Sequence, residues 1–377
     1  MRKNYLLTPG PTSVPSDVLL DLARPIVHHR TPQFAEIFRS VSEGLKYVFQ
    51  TKNDVLIFAS SGTGAMEASV VNLLSPGDKV LTIRGGKFGE RWDEICRACN
   101  IETFPIDVEW GKPVNPEDVR SILKREKGIK AVFATLIETS TGIMHDVKAL
   151  GSIVKEFPAV LVVDAVSGLG AVDIQTDNWN VDVVVAGSQK ALMLPPGLAF
   201  ASVSNKAWDL VESSKCPKYY WSFAKARKSL ETNQTPYTPA VSLIVGLSKS
   251  LEMIKEEGLE NVLARHSKLA KATRAAIKAM GLELLAPEAP SDAVTAVKVP
   301  QGVDGVDLVK SLKKKYDVMI TGGQEQLKGR IIRIAHMGYS DTFDIITVIS
   351  ALEMALVDSG YNLELGKGIK AAEEVLK

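Results

Sequence analysis

The stretch "AVLVVDAVSGLGAVDIQTDNWNVDVVVAGSQKALMLPPG", residues 159–197, decides the fold. It holds two short apolar runs, 159–165 and 182–187, rich in valine and free of polar alternation. Such runs read as strands buried on both faces, the pattern of a parallel sheet covered on each side. Both runs end on groups that sit badly in an apolar setting. The first ends at Asp164, and a carboxylate is costly to bury unless something pairs with it. The second leads through Gly187, Ser188 and Gln189 to Lys190, before Pro195, Pro196 and Gly197 close a rigid turn. A lysine held there is partly desolvated, has a lowered pKa and can form a Schiff base. Singly, an aspartate after a strand is a common cap and a lysine past a strand a common surface group.

Working outward, the same alternation extends from about residue 33 to 230. Further strands are expected at 55–60, 79–84, 102–107, 131–137 and 198–204, which makes seven, with helices at 64–74, 89–98, 116–126 and 146–156. Short strands alternating with helices specify an α/β domain with a mostly parallel sheet. After residue 238 the pattern changes to two long helices, then strand-like segments at 293–299, 318–323 and 330–336 with helices near 304–315 and 341–358. This reads as a smaller α+β domain. The expected division is an extended arm over 1–15, a large domain over 16–260 and a small C-terminal domain over 261–377.

The 377 residues are 45% apolar and 24% charged, with a net charge of +1. That composition suits a two-domain globular protein and removes the electrostatic case for a nucleic-acid or anionic-membrane partner. The most basic run, "KSLKKKYD" (310–317), reads as the solvated face of a helix. Three cysteines, Cys96, Cys99 and Cys216, include one C-x-x-C on a helical-looking segment with no second pair to complete a zinc site, so no metal is expected. Sparse cysteine, an N-terminus without a signal-peptide pattern and no long apolar run point to a cytoplasmic protein.

In an open parallel sheet, ligands bind beyond the carboxyl ends of the strands. One such end is "ASSGTGAMEASVVNLL" (59–74), where Ser61, Gly62 and Thr63 precede a helix. Free N–H groups and the helix dipole there favour an anion such as phosphate. A dinucleotide fingerprint is the rival reading, but the third glycine position is Glu67 and no Walker-type Gly-Lys follows. In "GRIIRIAHMG", Arg333 faces opposite to Ile332 and Ile334, and arginine suits a bidentate grip on a carboxylate. Taken together, Lys190, Asp164, the phosphate turn and Arg333 are the parts that pyridoxal 5′-phosphate chemistry requires of a protein.

These motifs, with "PGPTSVP", "ETSTGIMHDV" (138–147), "GSQKALMLPPG" and "QTPYTPAVSL" (234–243), occur in an order that resembles the class V aminotransferases of fold type I. The resemblance is closest to the alanine–glyoxylate and serine–pyruvate aminotransferase group and covers nearly the whole chain. It implies that Lys190 links the cofactor covalently and shuttles the Cα proton, and that Asp164 pairs with the pyridine nitrogen. It places Ser61, Gly62, Thr63 and Gln189 at the phosphate, Thr139 near the ring hydroxyl and Arg333 at the substrate α-carboxylate. Thr235 or Thr238 would reach the phosphate of a neighbouring subunit's cofactor, which implies a homodimer. Relatives often stack a tryptophan on the ring where this chain has Phe88, which can still stack offset; Trp92, one turn on, reads as packing.

The implied reaction moves the amino group of alanine or serine to glyoxylate or pyruvate in a ping-pong cycle. Transaminases of aspartate, phosphoserine or a phosphonate would need a further basic group, for which His28, His29, Arg30 and His336 are the candidates. A cysteine desulfurase would need a nucleophilic cysteine later than Cys216. A nicotinamide-dependent oxidoreductase lacks its third glycine, and a non-catalytic scaffold leaves Lys190 and Asp164 unexplained.

Overall fold

The computed structural model describes residues 3–377. In chain order the strands are β1 (Tyr5–Leu6), β2 (Val55–Ser60), β3 (Lys79–Arg84), β4 (Glu102–Asp107) and β5 (Ile129–Thr135). Next come β6 (Ile137–Glu138), β7 (Ile143–Met144), β8 (Val160–Asp164), β9 (Val183–Gly187) and β10 (Gly197–Val203). The last four are β11 (Val294–Lys298), β12 (Val318–Met319), β13 (Thr321–Gly322) and β14 (Ile331–Ala335).

Seven strands form the main sheet in the order β2-β10-β9-β8-β5-β3-β4, with β10 alone antiparallel to its neighbours. This is the seven-stranded, mostly parallel sheet expected of fold type I. The valine runs lack alternation for a simple reason. Leu161, Val163 and Val184 enter the core on one face, while Val160, Val162, Val183 and Val185 enter the core on the other, so both sets are buried. Each buried valine contributes roughly 1.5 kcal/mol or more, which offsets the cost of holding polar groups at the strand ends.

The segment 318–323 is not one strand. It breaks at Ile320 into β12, which pairs with β1, and β13, which pairs with β14. The segment 131–137 likewise stops at Thr135, and a two-residue β6 pairs back on β7 across a turn containing Gly142 at φ +75. A separate apolar core lies around β14 and the helices Leu259–Ala279, Gly305–Tyr316 and Thr342–Asp358. The basic run is a solvated face: Lys313, Lys314 and Lys315 are exposed while Leu308 and Leu312 are buried.

The first residues tie this smaller core to the main sheet. Leu7 donates to Met319 O at 2.9 Å and accepts from Ala335 N at 2.9 Å. A few residues on, Thr12 N donates to Gln189 O at 3.2 Å and its hydroxyl to Lys190 O at 2.8 Å. One extended segment therefore fastens the lysine turn to β12 and β14. Among the described residues, no helix is long and apolar enough to cross a membrane.

Candidate active site

Five parallel strands of the main sheet end on one cavity. Ser61, Gly62 and Thr63 follow β2, and Phe88 and Arg91 sit on the helix Lys87–Ala98 after β3. Ile137 and Thr139 follow β5; Asp164, Val166 and Ser167 close β8; Gln189 and Lys190 follow β9. The residues are far apart in sequence, and the parallel topology alone brings them together.

Asp164 is buried, and its Oδ1 accepts from the N–H of Val166 at 2.8 Å. Desolvation pushes its carboxyl up to about 6, against that N–H and the charges of Arg91 and Lys190. Lys190 is 9% exposed, and its ammonium donates to the carbonyl of Pro9. Burial lowers it to about 8; Asp164 opposes the shift, while Arg333 and Arg91 reinforce it. The pair sits in one electrostatic field, with the amine brought toward neutrality and the carboxylate reluctant to ionise without a cation.

The turn before the helix Gly62–Leu73 is built as an anion cradle. Ser61 is the N-cap, yet its side chain accepts from none of the helix N–H groups. A Cβ on Gly62 would lie 2.6 Å from Val166 Cγ2, so only glycine lets the backbone approach the β8 turn. The side-chain oxygen of Gln189 is buried without a hydrogen-bond partner. Hydroxyls and free helix N–H groups form a donor set that suits a phosphate, and the Gln189 amide beside them has no partner of its own at its oxygen.

Thr139 lies across the cavity, its hydroxyl 2.6 Å from that of Ser167. Arg333 stands behind it in the middle of β14. Its Nη1 donates to Thr139 O at 2.9 Å and its Nε to Gly322 O at 3.0 Å. Burial lowers the guanidinium to about 10, partly opposed by Glu138. Among the described residues its Nη2 has no hydrogen-bond partner.

Thr235 and Thr238 do not line this cavity. They line a separate small one with Phe58 and Tyr220. The Thr235 hydroxyl donates to Tyr237 O at 2.6 Å, whereas Thr238 is exposed. The other basic candidates also stand apart. His336 is fully buried with both ring nitrogens engaged, by Thr295 Oγ1 at 2.9 Å and Asp292 O at 2.8 Å. Arg30 donates to Gln234 Oε1 at 2.7 Å and Thr235 O at 2.8 Å, and the rings of His28 and His29 pack against each other at a tilt of 34°. Trp92 is core, its Nε1 donating to Ala134 O at 3.2 Å. Cys216 is buried, and desolvation pushes its thiol up, opposite to what a nucleophile needs.

Three contributors were not singled out by sequence. Glu138, fully buried, accepts from the N–H groups of Phe88 at 3.0 Å and Gly89 at 2.9 Å, fixing the start of the helix that carries Phe88. Ser167 completes the Asp164 turn; its place three residues after Asp164 was the available signal. Arg91, one helical turn after Phe88, was detectable from that spacing.

Pro9 and Gly10 open the motif "PGPTSVP", but nothing in the sequence signalled that they approach Lys190. At φ +139, a Cβ on Gly10 would fall 2.2 Å from Lys190 Nζ. Gly10→Ala is therefore expected to lose about 1–3 kcal/mol of stability through backbone strain and to weaken cofactor retention. Thermal melts with and without cofactor check both; unchanged retention would count against the contact.

A family model for class V aminotransferases matches residues 5–339, and the chain belongs to that family, whose cofactor is pyridoxal 5′-phosphate. It is 41% identical to serine–glyoxylate aminotransferase of Hyphomicrobium methylovorum, over 98% of this chain and 94% of that one. It is 46% identical to a protein of Synechococcus sp. (strain PCC 6716) named soluble hydrogenase, small subunit, over 99% of this chain and 98% of that one. Among solved structures, ureidoglycine–glyoxylate aminotransferase of Bacillus subtilis superposes with a TM-score of 0.95 at 30% identity, covering 100% of this chain and 98% of that one. The protein is a pyridoxal-phosphate-dependent aminotransferase.

Proposed function

We propose that the enzyme moves the amino group of a small neutral amino acid, serine or alanine, to glyoxylate or pyruvate in two half-reactions. The carrying observation is the single cavity that holds Lys190, Asp164 and the Ser61–Gly62–Thr63 cradle; the serine–glyoxylate and ureidoglycine–glyoxylate relatives support the choice of acceptor. When bound, pyridoxal 5′-phosphate supplies an electron-accepting ring next to the substrate Cα. The Lys190 amine holds the cofactor covalently and then carries the proton to and from the substrate Cα. Asp164 would hold a proton on the pyridine nitrogen, and Thr139 would serve the ring hydroxyl. Ser61, Gly62, Thr63 and Gln189 would bind the phosphate, Phe88 would pack on the ring, and Arg333 would grip the α-carboxylate.

A homodimer follows from the same reading. Thr238, exposed and outside its own chain's cavity, is better suited than Thr235 to reach a neighbouring subunit's phosphate. We read 16–260 as the cofactor-binding unit and 261–377 as the smaller one, a division supported by the separate apolar core around β14. A hydrogenase reading, suggested by the Synechococcus relative's name, calls for a clustered ligand set. Among the described residues, no three His, Cys, Asp or Glu side chains are grouped to hold a metal ion.

The deciding experiment pairs alanine, serine and aspartate with glyoxylate, pyruvate and 2-oxoglutarate, read by half-reaction spectra. Preference for aspartate with 2-oxoglutarate would overturn the substrate assignment. The lysine adds a pH prediction. With Lys190 lowered to about 8, roughly one amine in ten is neutral at pH 7, against fewer than one in a thousand for an ordinary lysine. Capture of cofactor by the apo-protein is expected to accelerate up to about pH 8 and then level off. A rate still rising tenfold per unit at pH 9 would contradict a desolvated lysine.

A further inference from the structure

We propose that Arg91 is a positioning residue of the cofactor site, acting through Phe88 and Thr63 and supplying a fixed positive charge beside Asp164 and Lys190. The inference rests on the site reading above and goes beyond it, because the family motifs assign Arg91 no role. Four observations converge on this side chain.

Arg91 lies in the cavity wall, on the same helix as Phe88 and three residues on. Its guanidinium carbon is 4.8 Å from the centroid of the Phe88 ring, within the range of a cation–π contact. Its Nη1 donates to Thr63 Oγ1 at 3.1 Å, at the turn read as the phosphate cradle. Among the described residues no carboxylate forms an ion pair with it. An arginine half-buried in a cavity wall without a carboxylate partner keeps its full charge directed at whatever else lines that wall.

The helix makes this arrangement rigid. Glu138 caps its first turn through Phe88 and Gly89, so Phe88 and Arg91 move as one unit. A phenylalanine offers a smaller stacking face than the tryptophan common at this place, and the guanidinium backs that smaller ring. The charge has a second effect. The groups facing Lys190 are Asp164, which raises its pKa, and Arg333 and Arg91, which lower it. Arg91 also favours the ionised form of Asp164. One side chain thus biases both partners toward the states the reaction uses, a neutral amine and a charged carboxylate.

The test compares wild type, Arg91→Lys and Arg91→Met as apo-proteins. Cofactor affinity is measured by titration, and the rate of cofactor capture is measured against pH. Arg91→Met is expected to bind pyridoxal 5′-phosphate about tenfold more weakly and to shift the capture midpoint upward by about half a pH unit or more. Arg91→Lys keeps the charge but loses the guanidinium's broad contact with the Phe88 ring. It is expected to restore the midpoint while recovering only part of the affinity, a split that general loss of structure would not produce. If Arg91→Met does not fold by circular dichroism, the Arg91→Lys comparison decides alone: wild-type affinity would refute the stacking role. Wild-type affinity and midpoint in Arg91→Met would overturn the proposal while leaving the site reading intact. A wild-type protein that captures no cofactor would overturn both.

Discussion

Lys190→Ala is expected to abolish the covalent cofactor link and to lower transamination by about 10³-fold or more, because the proposed function makes one amine both the point of attachment and the proton carrier. The structure adds a prediction about stability. Lys190 is buried, and its value near 8 against an ordinary 10.5 means that the folded state disfavours the ammonium. The lowered value corresponds to a penalty on the order of 3 kcal/mol. It is full below about pH 8 and fades as pH rises toward the ordinary lysine value, since only there does the unfolded chain also lose the proton. Removing the side chain relieves that penalty and leaves a cavity, whose cost is of similar size. The variant should therefore melt near the wild-type temperature at pH 7 while losing near-visible absorbance and turnover. Retention of both absorbance and turnover would remove Lys190 from the reaction. A collapsed melt would mean that the lysine turn is held by the ammonium's bond to Pro9 more than by the apolar strand beneath it.

That bond also marks the limit of what the sequence could tell. The central strands β8 and β9 were legible because the valine runs carry no alternation, and two-faced burial in a parallel sheet is what removes alternation. Asp164 and Lys190 were legible because each ends such a run, where a charge conflicts with its surroundings. Pro9 and Lys190 are 181 residues apart, and no periodicity or spacing encodes their meeting. It follows from β1 pairing with β12 and from the arm then crossing to the lysine turn. Glu138 escaped notice for a different reason. Its two-residue strand is too short to register as a pattern, although its carboxylate fixes the helix that presents Phe88. The motif around Thr235 and Thr238 was readable as a motif, but both residues stand outside the cavity of their own chain, and the role proposed for them depends on a neighbouring subunit.

Asp164→Asn separates charge from shape. Asparagine has nearly the same volume, and its side-chain oxygen can keep the bond from Val166 N–H now made at 2.8 Å, so the β8 turn should persist. What is lost is the negative charge proposed to hold a proton on the pyridine nitrogen. Removing one member of a buried charged pair costs about 2–5 kcal/mol, so kcat is expected to fall roughly 30- to 5,000-fold. Stability should move the other way. In the apo-protein, burial pushes Asp164 up to about 6 despite the charges of Arg91 and Lys190; a raised carboxyl destabilises the folded state most fully above that pH and ceases to do so below its ordinary value. The apo-protein of Asp164→Asn should therefore melt higher than wild type at pH 7 and converge with it near pH 4. Bound cofactor reverses this order, because the cationic nitrogen then favours the carboxylate and is lost to the variant. A variant that is more stable empty, less stabilised by cofactor and slow in turnover would fit a charge role alone. If its kcat stays within tenfold of wild type, the carboxylate serves only to cap the β8 turn, and protonation of the pyridine nitrogen must be secured by another group in the cavity.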